Sequence, residues 1–401
     1  MKPTQVDVAI VGAGPAGLVL ARMLQLQGLD AVVLERWSRE YVLGRVRAGI
    51  IEQPVAELLV ELGVGERMLA DRLVHDGVQL QHRRGGAVVR QRVDFTALCG
   101  KTVTVYGQRE LVRDLIELRE ADGLPLRFGC EVVGLDGLDQ DRVTVHCRDD
   151  GGESVISARY VAGVDGAHGI TAQLLDLFDP GVRETLQRTY PASWLGVLVQ
   201  AAPPSQELVY SRHPEGFALA SMRTPEVSRL YLQVPAGDTL AAWSADRIWE
   251  QLHRRLDLPG RPVNEGPFLE SSITPLRSVV HRRMRFGRLL LGGDAAHVVP
   301  PSGAKGLNLA VADMAQLSFR LGRAVRHGDE SALAGYQDAC LRRVWQVTHF
   351  SWYMTDLLHK LDADEFGEEL RTEQLRTLAD GGPLARWFAD SYTGLPLTPW
   401  S

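Results

Sequence analysis

Cysteine is scarce and scattered. Four occur in 401 residues, Cys99, Cys130, Cys147 and Cys340, with no C-x-x-C spacing. A disulfide framework or a zinc site needs thiols at short, regular spacings, so neither is expected. The four read as free packing residues in a reducing compartment. A cationic excess is lacking too. The 44 Lys and Arg stand against 50 Asp and Glu, and the net charge of -6 carries no electrostatic footprint of a nucleic-acid binder. No apolar run approaches the roughly 20 residues that cross a bilayer. The start, Met1 to Gln5, has no charged-then-apolar-then-small plan of a signal peptide. Repeats, low-complexity tracts and long linkers are missing as well. What remains is 45% apolar and 23% charged, which fits a globular chain with a full core. The expectation is a cytoplasmic protein with no nucleic-acid partner, no membrane and no metal.

Hydrophobic periodicity orders the elements. "VDVAIV" reads as a buried strand, and "LVLARMLQLQG" as a helix that Gly28 stops. "AVVLER" reads as a second strand, which completes a βαβ opening. "YVLGRVRAG" is a loop or helix entry, and "QPVAELLVELGVGERML" an amphipathic helix broken by glycine. From about Tyr190 to Pro275 the runs shorten and alternate: "ELVYSR", "FALASMR", "RLYLQVP". Turn residues such as "TPEVS" separate them, as in an antiparallel sheet. "RLLLGGDAAH" returns to the buried-strand type, and the pattern from Leu307 onward is helical. The expected fold class is therefore mixed α/β (α+β). A nucleotide-binding domain is built from both chain ends, 1–180 and 277–401, the second with C-terminal helices. A substrate-side antiparallel sheet, 181–276, is inserted between them.

Three stretches point to a dinucleotide. In "GAGPAG" Gly12 allows the tight turn, Gly14 lets a pyrophosphate approach the backbone, and Gly17 allows close helix packing. Glu35 ends the second strand at the distance that suits a ribose hydroxyl. "YVAGVDGAHG" ends a strand at Asp165-Gly166, which alone reads more often as an ordinary turn than as a site. "GGDAAHVVPPSGAKGLNLA" puts Asp294 in a glycine turn and then interrupts regular backbone with Pro300 and Pro301. A buried aspartate there needs hydrogen-bond donors, and either a ligand's hydroxyls or a following helix N-terminus supplies them.

In this order, G-x-G-x-x-G, D-G and G-D resemble the group A flavoprotein aromatic hydroxylases. "VLGRVRAGIIEQ", "KTVTVYGQ", "GFALASMR", "FSWYMT" and "YTGLP" narrow the likeness to the hydroxybenzoate-hydroxylating branch, over essentially the whole chain to about Pro396. The resemblance implies a FAD-binding domain of the glutathione-reductase type. It implies FAD contacts from Gly12, Gly14, Gly17, Glu35, Arg36, Arg45, Arg47, Gln108, Asp165, Arg229, Asp294, Gly303, Leu307 and Asn308. Asp294 would hold the ribityl chain, and the "PPSGAKGLN" backbone would line the isoalloxazine ring. For NADPH it implies Arg36, Tyr41, Arg45, His168 and Arg277. Ala172 departs from the pattern, where arginine is common, so mixed NADH use is compatible with it. Ser302 stands where threonine is frequent.

On spacing alone, Ser221 and Arg223 are a solvated strand face. The resemblance makes them the clamp on a benzoate carboxylate, a pairing that a guanidinium fork suits. Tyr231 joins them in binding substrate. Tyr210 would bond the substrate's phenol oxygen, Tyr392 would stand behind it, His75 would pass the proton to solvent, and the Pro301 carbonyl would sit by the hydroxyl. The implied reaction converts 4-hydroxybenzoate to 3,4-dihydroxybenzoate with NADPH and oxygen, through a flavin C4a-hydroperoxide, in a homodimer paired through the C-terminal helices. The alternatives are the same chemistry on another hydroxy- or aminobenzoate, or a non-catalytic FAD-binding protein. A flavin halogenase is disfavoured because no W-x-W-x-I-P string is present.

Overall fold

The structure is a computed structural model that describes residues 4–45, 49–71, 73–84, 86–178, 180–256, 262–362 and 364–401. Its first sheet unites the two chain ends. Strand Thr4–Val11 pairs in parallel with Ala31–Leu34 on one side and Gly152–Gly163 on the other. Gly152–Gly163 in turn pairs in parallel with Leu289–Leu291. Val8, Ala9, Ile10, Leu289, Leu290 and Leu291 have no exposed surface. That is why these strands read as continuous apolar runs: layers cover both faces of such a sheet. Helix Pro15–Leu26 follows the first strand and ends where Gly28 takes φ +75°, as expected from the sequence. Helix Gly306–His327 packs beside it, and buried Gln27 donates to Ser318 Oγ at 2.7 Å between them.

The second sheet is antiparallel over most of its width. Strand Thr185–Val199 pairs with Phe268–His281 and with Val227–Pro235, which continues to Ala218–Thr224 and Val209–Arg212. It also recruits the hairpin Gly77–Arg84 and Ala87–Asp94, because Gly77–Arg84 runs parallel to Val209–Arg212. The sheet therefore takes strands from outside 181–276. A parallel partner over 100 residues away leaves no local pattern, which is why the alternating runs alone did not reveal it. Helices Tyr336–Leu358, Glu365–Ala379 and Pro383–Thr393 close over this sheet, and Leu80, Trp194, Tyr210, Phe217, Phe350, Phe388 and Tyr392 form one buried cluster there. No helix among the described residues is long and apolar enough to cross a membrane. Three of the four cysteines are buried and all are free.

That cluster contains a histidine with a pH consequence. His359 is fully buried, its Nδ1 donates to the Thr355 carbonyl at 2.9 Å, and its Nε2 accepts from Trp194 Nε1 at 2.6 Å. Both ring roles require the neutral form, and burial pushes the pKa down to about 3. An unfolded histidine titrates near 6.5, so between these values the unfolded chain binds a proton that the folded one does not. This stability is complete above about pH 6.5 and is lost as the pH falls toward 3, at roughly 1.4 kcal/mol per pH unit. Urea unfolding from pH 4 to 7 should show that slope, reduced by one proton's worth in His359→Gln. An equal slope in the two proteins would contradict this reading.

Candidate active site

The glycine loop has the geometry of a phosphate cradle. Gly12 adopts φ +111°, and a Cβ there would lie 2.8 Å from the Val164 carbonyl. A Cβ on Gly17 would lie 2.0 Å from the Gly12 carbonyl. At Gly14 a Cβ would meet nothing, and this residue begins helix Pro15–Leu26 with no side-chain cap and Pro15 in the first turn. The helix amides there are left for an anion. The residues thus fit the pyrophosphate of a dinucleotide. Gly17→Ala must force helix and loop apart, and overpacking of this kind costs about 1–3 kcal/mol. We expect a lower melting temperature and weaker FAD retention, and unchanged values for both would contradict the packing role. Glu35 is partly engaged by the loop itself: Oε2 accepts from Ala13 N at 2.8 Å and Oε1 from Trp37 N at 3.0 Å. A carboxylate offers about four acceptor positions, so two remain for a ribose.

Asp165 follows strand Gly152–Gly163 and accepts from Thr171 N at 2.9 Å and Thr171 Oγ1 at 2.5 Å. Burial pushes its pKa up against those bonds. Asp294 lies in the short 3-10 turn Gly293–Ala295 beyond strand Leu289–Leu291, so it caps no α-helix. The loop that follows carries the 3-10 turn Pro301–Gly303 and Ala304 at φ +54°. Asn308 ties it down: Oδ1 accepts from Glu52 N at 2.9 Å, and Nδ2 donates to the Ile50 and Ala304 carbonyls at 2.9 and 3.0 Å. Leu307 and Asn308 lie in the first turn of helix Gly306–His327.

The same loop carries a charge that sequence reasoning missed. Lys305 is 2% exposed, and its Nζ donates to Glu52 Oε1 at 2.7 Å and to the Tyr392 carbonyl at 2.8 Å. It also lies over the rings of Phe350 and Tyr392. Burial lowers its pKa while Glu52 opposes the shift. A lysine inside a stretch of Gly, Ala and Pro was the available signal. Its partner, 253 positions away, had none.

On the second sheet, register brings together residues expected to bind substrate. Tyr210 is opposite Leu219, Leu219 is opposite Tyr231, and Ser221 is opposite Arg229. Paired residues share a face and alternate residues return to it, so these side chains project from one face. Gly196 stands opposite Tyr231, and a Cβ there would lie 2.7 Å from the Tyr231 ring. Arg223 Nη1 donates to Ser221 Oγ at 3.4 Å, and Arg223 Nε is buried without a partner among the described residues. Burial lowers the Arg223 pKa, with Tyr231 opposing. Arg229 lies over the Tyr231 ring and pairs through Nη1 with Glu270 Oε1 at 3.2 Å.

Tyr210 and Tyr392 meet in the aromatic cluster, hydroxyl to hydroxyl at 2.6 Å, both 1% exposed. Burial pushes the Tyr210 pKa up against the bond from Tyr392. Burial also pushes Tyr392 well above its ordinary range. His75 ends strand Leu73–His75, buried, with neither ring nitrogen bonded to any described residue. Burial lowers its pKa and keeps it neutral. The structure shows no direct bond between His75 and either tyrosine.

The residues expected at the nicotinamide cofactor lie at two places. Arg277 Nη2 is 3.5 Å from His168 Nε2 at the surface. Arg36 lies over the Trp37 ring, which stacks on Tyr41 at 4.5 Å, and Arg45 ends helix Arg39–Gly44. Ala172 is buried. Gln108 begins helix Gln108–Ala121, and Arg47 lies outside the described residues.

Against known proteins, the FAD binding domain family matches residues 5–351. The p-hydroxybenzoate hydroxylase of Acinetobacter baylyi is 40% identical over 400 residues, 99% of this chain and 97% of that protein. A probable NADH-specific resorcinol 4-hydroxylase of Rhodococcus jostii is 27% identical over 344 residues, 83% of this chain and 62% of that protein. Among solved structures, p-nitrophenol 4-monooxygenase PnpA from Pseudomonas putida DLL-E4 superposes with a TM-score of 0.78 at 20% identity, covering 96% of each chain. At that identity the likeness is one of fold.

Proposed function

The chain belongs to the FAD-binding family of flavoprotein aromatic hydroxylases, and from that premise we propose that it hydroxylates 4-hydroxybenzoate at carbon 3 with NADPH and oxygen. The product is 3,4-dihydroxybenzoate. The observation that carries this reading is the buried Tyr210–Tyr392 hydroxyl contact on a sheet face shared with Ser221 and Tyr231. A benzoate with a para hydroxyl has an anionic end and a weakly acidic end on one rigid axis. The Ser221–Arg223 pair suits the first and Tyr210 the second.

FAD, when bound and reduced, supplies the activated oxygen. The protein's residues prepare the ring. A free phenol titrates near 10, like tyrosine. A hydrogen bond from Tyr210 to the phenolate oxygen stabilises the anion and lowers that value. The ring becomes electron-rich where an electrophile attacks, ortho to the oxygen. Tyr392, next in line, takes part in moving the proton, and neutral His75 is its outlet to solvent. Burial of both tyrosines keeps water from the reacting positions. Asp294, Gly12, Gly14, Gly17 and Glu35 hold the dinucleotide, and Arg229, fixed by Glu270, faces it from the substrate sheet. Arg36, Tyr41, Arg45, His168 and Arg277 receive NADPH, with the cation and phenol suited to its 2′-phosphate. Location in the cytoplasm and pairing into a homodimer through the C-terminal helices complete the reading.

Product analysis over a small panel tests it: 4-hydroxybenzoate, 3-hydroxybenzoate, 4-aminobenzoate and resorcinol. We expect efficient hydroxylation of 4-hydroxybenzoate alone, with NADPH preferred to NADH. Efficient turnover of another ring, with 4-hydroxybenzoate left unmodified, would overturn the substrate assignment.

A further inference from the structure

The turn that presents Asp294 is held from behind by a buried pair. Asp313 lies on helix Gly306–His327, 1% exposed, and its Oδ2 accepts from Gly293 N at 2.9 Å and from His297 Nε2 at 2.6 Å. Gly293 immediately precedes Asp294. His297 begins strand His297–Val298, which pairs with the second sheet through Val280. One carboxylate oxygen therefore ties the entry and the exit of the Asp294 turn to a single point on the helix. Gly293 takes φ +58°, and a Cβ there would lie 3.2 Å from Ala310 Cβ, so the turn lies against the same helix. Tyr336 adds a second anchor by donating to the Leu291 carbonyl at 2.8 Å.

Burial opposes an imidazolium at His297, but Asp313, through charge and hydrogen bond, and then Asp294 leave its pKa raised. A buried ion pair is weak support for stability, because apolar replacements of similar volume often do as well. Its stronger product is geometry, since neither member can move without stranding the other. The helix that carries Asp313 also carries Asn308, which pins the next part of the loop. Helix Gly306–His327 is thus a template for both halves of the segment from Gly292 to Asn308.

We propose that His297 and Asp313 are positioning residues for FAD: they set the backbone of Gly293 to Ala295 so that the Asp294 side chain is delivered to the cofactor's hydroxyl chain. This rests on the reading of Asp294 as the ribityl ligand. Asp313→Ala removes Oδ2, the one oxygen that accepts both bonds. The turn loses both ties. Losing a buried hydrogen bond to a charged group corresponds to about a tenfold to hundredfold change.

The test removes FAD from the purified holoenzyme and titrates it back by flavin fluorescence, with melting temperatures of apo and holo forms alongside. We expect Asp313→Ala to weaken FAD about tenfold to a hundredfold and to shrink the rise in melting temperature that FAD produces. His297→Gln, whose amide still donates to Asp313, is a milder second variant with a smaller loss. A merely structural pair would lower apo and holo melting temperatures equally and leave the FAD dissociation constant unchanged, and that result overturns the proposal. Asp294→Ala separates the two readings. If it binds FAD as tightly as the unmodified protein, the assignment of Asp294 itself fails. If it weakens FAD while Asp313→Ala and His297→Gln do not, only the positioning inference fails.

Discussion

Replacing Tyr210 by phenylalanine should leave FAD and 4-hydroxybenzoate bound and remove most of the hydroxylation. The side chain keeps its ring, its place among Phe217, Trp194 and Tyr392, and its burial. Only the hydroxyl 2.6 Å from Tyr392 is lost. Positioned proton transfer contributes on the order of 10²–10⁴-fold, and that is the loss we expect in product formation. NADPH oxidation should fall less, because the relay acts on the substrate phenol. The excess reducing equivalents should appear as hydrogen peroxide. Stopped-flow spectra of the bound aromatic acid provide an independent reading: the phenolate band expected in the unmodified protein should move to higher pH in the variant. Hydroxylation at an unaltered rate would remove Tyr210 from the proton network.

Arg223→Ala should raise the dissociation constant of 4-hydroxybenzoate steeply with kcat changed much less. The guanidinium is the cation beside Ser221, and its Nε has no partner among the described residues. Removing one member of a buried charged contact costs about 3–5 kcal/mol, a factor of a few hundred and upward. Arg223→Lys keeps the charge but loses the two-pronged fork, so it should recover only part of the affinity. Equilibrium titration followed by flavin absorbance gives both constants. An unchanged constant in Arg223→Ala would exclude this residue from the clamp.

How far the sequence alone reaches depends on whether a requirement is local. Gly12 and Gly17 are legible because turn and packing each demand a missing side chain within six residues. The buried parallel strands are legible because both faces are covered, so each reads as an unbroken apolar run. Ser221 and Arg223 are two apart on a strand, and the structure keeps them together. Tyr210 and Tyr392 stand 182 positions apart and nothing local links them. Their pairing came from the resemblance, and the hydroxyl contact now gives it a geometry. Glu35 stands just after the second strand, close to where the sequence put it, and the structure commits two of its acceptor positions to Ala13 N and Trp37 N.

What remained hidden are long-range charge pairs. Lys305 with Glu52, and Arg229 with Glu270, join elements whose separation exceeds any helical or strand period. Asp313 with His297 are only 16 apart, yet a chain reversal lies between them. In an apolar helix such as "LNLAVADMA", one buried aspartate calls for a partner without saying where the partner is. The hairpin Gly77–Asp94 is hidden for a related reason, since its parallel neighbour is set by topology.

The account turns on one claim, that the buried tyrosine pair and the carboxylate clamp serve the hydroxylation of 4-hydroxybenzoate. The most direct measurement follows NADPH and oxygen consumption with and without that acid and identifies the product. The account predicts strong stimulation and close to one 3,4-dihydroxybenzoate per NADPH. Stimulated oxidation that yields only hydrogen peroxide, or no stimulation of the FAD-loaded protein at all, would contradict it.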